Sequence, residues 1–305
     1  MKIVQSFWSK PLNKLKDFRL DISLTNRKGG GWFNERIYFM SCALSVLKLR
    51  QFYDNVELVT DSYGKKFLID ELNLPYTNVR LDLDKIENYT EDIWAIGKLF
   101  AYKIQKEPFI HVDNDLFIWK PFDRAVWNAR LATQSYEFSL DNYDLFCKDV
   151  YKNFTGFTEE IGDYTKYGGR FIPGIEETPY NFGIFGGTDI SFIHYYVDFV
   201  IDFLDKNIEK VGRLKNPGAL SVYLEQGIFF CLSKFRNIPV HLLFKDEKKV
   251  FDFKHFTQFE NIPEKWFIHA LSKGKKIPAI NEQVYLNLLN EFPDYHKKIC
   301  ETFTN

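Results

Sequence analysis

No segment of this 305-residue chain stays apolar for the roughly 20 residues that a bilayer crossing needs, which excludes a membrane-spanning reading. Peripheral association with a membrane is left open. An excess of either charge is also missing. Forty Lys and Arg stand against 41 Asp and Glu, and the net of −1 leaves no basic footprint for nucleic acid. Cysteine is sparse: Cys42, Cys147, Cys231 and Cys300 lie far apart with no C-x-x-C pair. That spacing speaks against a disulfide framework and predicts buried free thiols in a reducing, cytoplasmic compartment. The opening MKIVQSFWSKPL has too few apolar residues for a secretory leader and reads as a first strand. Internal repeats and low-complexity linkers are absent as well, so a single domain over 1–305 is expected.

What the chain does have is a large apolar and aromatic content, 45% and 18%, with 31 Phe and 17 Tyr. This is ample for a core, and part of it is expected to line a pocket for planar or sugar rings. Strand-like runs at 2–8, 56–61, 78–83 and 109–113 alternate with helical patterns at 34–51, 65–74 and 90–106. Asn34 is placed to cap the first of these helices. The alternation predicts an α/β fold, a mostly parallel central sheet with helices on both faces. Residues 130–180 lose periodicity and gain glycine, acids and aromatics, as loops that shape a site do. Further strands are expected at 181–187, 239–244 and 265–270, helices at 190–204 and from Pro217, and a helical tail split at Pro293. A nucleotide-binding half, 1–122, and an acceptor-side half, 123–305, follow from this division.

The stretch FIHVDNDLFIWKPF, residues 109–122, interrupts an apolar strand with Asp113 and Asp115. A second D-x-D at Asp82 and Asp84 ends a short strand before a polar loop and reads as surface or turn. Asp113 and Asp115 instead end a strand expected at the sheet centre, where open parallel sheets bind ligands. Acids at i and i+2 of an extended segment point to one side, and two like charges brought together call for a cation. Carboxylate oxygens suit Mg²⁺ or Mn²⁺, and the apolar LFIWKPF that follows implies a walled cleft. The plainer alternative is a polar turn between two strands.

The strand, D-x-D, strand arrangement resembles the GT-A class of nucleotide-sugar glycosyltransferases, and HVDNDLFIWKPF is most similar to bacterial family 8-like, capsular and lipopolysaccharide sugar transferases. The likeness is strongest over 56–122. It implies a Rossmann-like fold, a nucleotide-sugar donor (UDP-sugar favoured) and a glycan or small hydroxyl acceptor. By the same resemblance Asp115 is a metal ligand, and Asp113 a ligand or ribose contact. The late FIHALSKGKK resembles the family's H-x-x-G-x-x-K segment, which implies His269 as a third ligand and Lys273, Lys275 or Lys276 on the diphosphate. It departs from the family form in placing Gly274 five residues after the histidine. NFGIFGG resembles a donor-sugar segment through Asn181 and its glycines, with a glycine-kinked strand as the alternative. Glu225 and Gln226 resemble an acidic-Gln pair near the reaction centre, and Lys98 is expected to reach phosphate. Thr60 and Asp61 are expected to meet uracil or ribose, Asp61 equally to cap a turn before Gly64. An inverting enzyme needs a carboxylate base, for which Glu225 and Asp141 are candidates; retention needs none. The rivals are a nucleotidyltransferase making sugar nucleotides, whose glycine-rich signature comes just after the first strand whereas KGGG (28–31) comes late, and a glycosidase, whose two carboxylates flank a sugar. A silent nucleotide- or sugar-binding protein of the same fold is the non-enzymatic alternative.

Overall fold

A computed structural model of the chain describes residues 2–13, 31–137, 142–175, 177–244 and 266–303, the side chains of Ser272 and Lys273 excepted. Nine strands are present among them: β1 (Lys2–Phe7), β2 (Val56–Thr60), β3 (Asn78–Arg80), β4 (Phe109–Val112), β5 (Leu116–Ile118), β6 (Ala132–Tyr136), β7 (Tyr180–Gly187), β8 (His241–Leu242) and β9 (Phe267–His269). Seven make one sheet in the order β3-β2-β1-β4-β7-β6-β8. β1 with β2, β2 with β3 and β6 with β8 run parallel, and β6 with β7 antiparallel. This is the α/β class, a mostly parallel sheet surrounded by helices. Among the described residues no helix is long and apolar enough to cross a membrane.

The chain divides into two compact units, one drawn from 2–87, 112–122 and 246–305, the other from 88–111 and 123–245. In the first, β1 and β2 are buried almost throughout, and Ile3, Val4, Leu58 and Val59 are fully so. The Glu35–Arg50 helix belongs to this unit, and its N-terminus is set by Asn34, whose side chain accepts from Ile37 N at 2.9 Å. β5 pairs antiparallel with β9, with Leu116 opposite His269. In the second unit much of the aromatic content is core. Phe182 and Phe185 stack at 4.2 Å between centroids, and Phe229 meets both edge-on at 5.1 Å.

Several elements are shorter than the pattern predicts. The strand expected at 78–83 stops at Arg80, and Asp82–Ile86 turns into a 3-10 helix. Arg80 and Lys85 both bond Asp82, favouring the turn over continued pairing. β8 covers two residues of the six expected. The helix expected from Thr90 begins at Ile96. The glycines Gly29 and Gly30 of KGGG, with Lys28, lie outside the described residues, as does Asp141.

Candidate metal centre

Asp113 and Asp115 do not sit on one pleated strand. β4 ends at Val112 and β5 begins at Leu116, and the acids occupy a turn closed by Leu116 N donating to Asp113 O at 3.2 Å. The polar-turn alternative therefore describes the backbone correctly, and the side chains of that turn still converge.

The β5–β9 pairing supplies their neighbour. With Leu116 opposite His269 and Ala270 N donating to Asp115 O at 2.9 Å, the imidazole is delivered beside the turn. His269 Nε2 lies 3.3 Å from Asp115 Oδ1 and 3.9 Å from Asp113 Oδ2. One ligand atom from each of Asp113, Asp115 and His269 falls within 4.8 Å of the others, and His269 is buried. After β9 the chain tightens into a 3-10 helix, Ser272–Lys276, which brings the Lys275 ammonium onto Asp115 Oδ2. Burial by itself would raise the Asp115 carboxyl; Lys275 and then His269 outweigh it and hold the group well below the usual carboxylate range. A half-buried, ionised acid beside a second acid and a buried imidazole is a donor set that fits a divalent cation, with oxygen ligands for Mn²⁺ or Mg²⁺ and a nitrogen that Mn²⁺ accepts more readily.

Of the late lysines whose side chains are described, Lys275 is the one on the acids. Lys276 donates to Trp32 O at 3.1 Å, and the Lys273 side chain lies outside the described residues. Thr60 donates to Phe7 O at 2.7 Å. Asp61 accepts from Ser9 N, Ser9 Oγ and Gly64 N, all at 2.7 Å, so the capping alternative is what its carboxylate does here. In the other unit Lys98, half-buried, and Glu225, buried, form an ion pair at 3.0 Å, joined by Tyr102 OH at 3.3 Å. Glu225 lies in a π-helical turn, Tyr223–Gly227, and is fully buried rather than helix-surface. Asn181 donates to Glu137 Oε2 at 2.7 Å and accepts from Gly183 N at 2.9 Å.

Sequence reading missed the polar residues beneath the acidic turn. Ser41 donates to Asn114 O at 3.0 Å, Ser45 to Leu116 O at 2.8 Å, and Asn114 Nδ2 to Ser6 O at 2.8 Å. Gln5 Nε2 reaches Ser45 Oγ at 2.9 Å. The available signal was two serines four apart within the apolar stretch 37–47 of the Glu35–Arg50 helix.

Residues 1–302 match a family described as "Family of unknown function (DUF6734)". No curated protein matches the sequence. Among solved structures, the crystal structure of the glycosyltransferase GlyE in Streptococcus pneumoniae TIGR4 is similar at 11% identity and a TM-score of 0.43, over 99% of this chain. The chain spans 64% of the length of that structure.

Proposed function

We propose that this chain, which belongs to the DUF6734 family, is a glycosyltransferase that moves a sugar from a nucleotide-diphosphate donor, a UDP-sugar foremost, to a hydroxyl of a glycan or smaller acceptor. The reading is carried by the convergence of Asp113, Asp115 and His269, drawn from sequence positions more than 150 residues apart, within 4.8 Å. The order of these residues along the chain resembles that of GT-A enzymes, which supports the same reading.

Asp113, Asp115 and His269 would hold Mn²⁺ or Mg²⁺. Bound there, the cation supplies Lewis-acid stabilisation to a departing diphosphate. Lys275 is poised to exchange its carboxylate partner for a phosphate oxygen, adding a fixed positive charge where negative charge develops. Glu225, paired with Lys98 at 3.0 Å, is proposed as the carboxylate that receives the acceptor's proton. Thr60, Asp61, Lys98 and Asn181 remain proposed donor contacts, and 123–305 the acceptor-side half.

The test is thermal stabilisation by a panel of nucleotides, with and without Mn²⁺, on wild type and Asp115→Ala. UDP with Mn²⁺ is expected to raise the wild-type Tm by several degrees, roughly 2 kcal/mol of linkage at a concentration well above Kd, and to leave the variant unmoved. If no nucleotide stabilises the wild type with any metal, the donor-site reading fails. Slow hydrolysis of a nucleotide-sugar then separates a transferase from a binding protein. Formation of a nucleotide-sugar from a triphosphate and a sugar phosphate would instead indicate the nucleotidyltransferase.

A further inference from the structure

The turn that carries Asp113 and Asp115 has no regular ladder to hold it. Two acidic side chains one residue apart repel, and a free turn would relieve the repulsion by splaying them. Each carbonyl from Asp113 to Leu116 nevertheless accepts a bond. Asp113 O takes Leu116 N, Asn114 O takes Ser41 Oγ, Asp115 O takes Ala270 N, and Leu116 O takes Ser45 Oγ.

Ser41 and Ser45 lie one turn apart on the Glu35–Arg50 helix, so their hydroxyls share a face, and both residues are fully buried. A serine inside a helix commonly bonds back to a carbonyl of its own preceding turn. These two donate instead to the acidic turn. Ser45 has a single proton, and its direction is set by neighbours. Tyr76 OH donates to Gln5 Oε1 at 2.9 Å, and Gln5 Nε2 donates to Ser45 Oγ at 2.9 Å. With its oxygen accepting from Gln5, Ser45 sends its proton to Leu116 O at 2.8 Å rather than to the more distant Asp113 O at 3.3 Å. The relay Tyr76, Gln5, Ser45, Leu116 therefore points one way, toward the turn.

We infer that Ser41 and Ser45 are positioning residues of the metal site: their hydroxyls pin the backbone of the acidic turn so that Asp113 and Asp115 stay in ligating distance of His269. This rests on the metal-site reading above. Neither serine touches the cation; each acts through the turn it holds. Polar groups behind ligands set ligand orientation, and their loss typically weakens metal affinity by about tenfold or more.

The experiment measures Mn²⁺ affinity of the full chain from the electron paramagnetic resonance signal of free Mn²⁺, without nucleotide or acceptor. Wild type is compared with Ser41→Ala, Ser45→Ala, Asp115→Ala and Ser233→Ala. Ser233 is a matched control, buried and donating to Phe230 O at 3.0 Å, in the other unit. Ser41→Ala and Ser45→Ala are each expected to weaken Mn²⁺ binding about tenfold, Asp115→Ala to abolish it, and Ser233→Ala to leave it unchanged, the three serine variants showing similar metal-free Tm. If both site serines bind Mn²⁺ like Ser233→Ala while Asp115→Ala does not bind, the positioning inference is overturned and the metal reading stands. If wild type binds no Mn²⁺, or Asp115→Ala binds as wild type does, the metal reading falls and the inference with it. Should Ser45→Ala fail to fold because the Gln5 amide loses its nearer acceptor, Ser41→Ala decides alone.

Discussion

Lys275 is where two roles meet in one side chain. Its ammonium neutralises Asp115 in the metal-free protein, and the proposed chemistry asks it to serve a diphosphate. The two are separable by Lys275→Met. Without the ammonium competing for Asp115 Oδ2, Mn²⁺ alone is expected to bind at least as tightly as in wild type. UDP at saturating Mn²⁺ is expected to lose about 2 kcal/mol, the scale of a hydrogen bond to a charged group. Titrating Mn²⁺ and then UDP by calorimetry reads both, and unchanged UDP affinity would remove Lys275 from the donor site. At this scale the sequence was legible in part. The acids, His269 and the lysine cluster were readable because their chemistry is carried by residue type. The choice of Lys275 was not, since it depends on a 3-10 turn sending Lys276 to Trp32 O instead.

At the scale of elements, β7 shows what its glycines are for. Gly186 has φ +155, and a Cβ there would stand 2.1 Å from Phe109 O; Gly187, φ +139, would meet Arg130 O at 2.2 Å. Neighbouring backbone fills the space that a side chain would need, which is the glycine-kinked alternative. Gly186→Ala is accordingly expected to cost well over ~3 kcal/mol or to yield insoluble protein. Gly212→Ala, with nothing within 4 Å of its Cβ, is expected to be neutral or slightly stabilising. Paired Tm measurements check both. The same scale shows why strand ends were misjudged. Alternation runs on through RLDL, yet Asp82 finds Arg80 and Lys85 close by in sequence, and those local pairs end the strand.

For the molecule as a whole, His111 predicts a pH dependence of stability. It is buried in β4, and burial first, then the charge of Lys98, lowers its pKa well below the ordinary histidine value. The unfolded chain takes up a proton near pH 6.5 that the folded chain refuses, so below that pH the unfolded state binds more protons. Stability is therefore expected to fall as pH drops from about 6.5 toward 5, and His111→Gln to flatten that slope. Tm against pH for the two proteins tests it; parallel curves would show that His111 does not titrate in this way. Cys42, Cys147 and Cys231 bring no covalent staple to this balance: they are free and buried.

The sequence by itself determined what local forces decide: the β and α alternation, the Asn34 cap, the helix opened by Pro217 and the tail broken at Pro293. It also separated the two D-x-D triplets by their neighbours, a polar loop after Asp84 and the apolar LFIWKPF after Asp115, without showing what either pair meets. Only the tertiary structure decided their partners. Asp82 takes partners two and three residues away and Asp84 bonds Ser62, whereas Asp113 and Asp115 meet a histidine and a lysine more than 150 residues downstream. That meeting depends on the register of β5 against β9 and on serines of a helix near the start of the chain. Contacts of such separation are fixed by packing and strand pairing, which no short window of sequence contains.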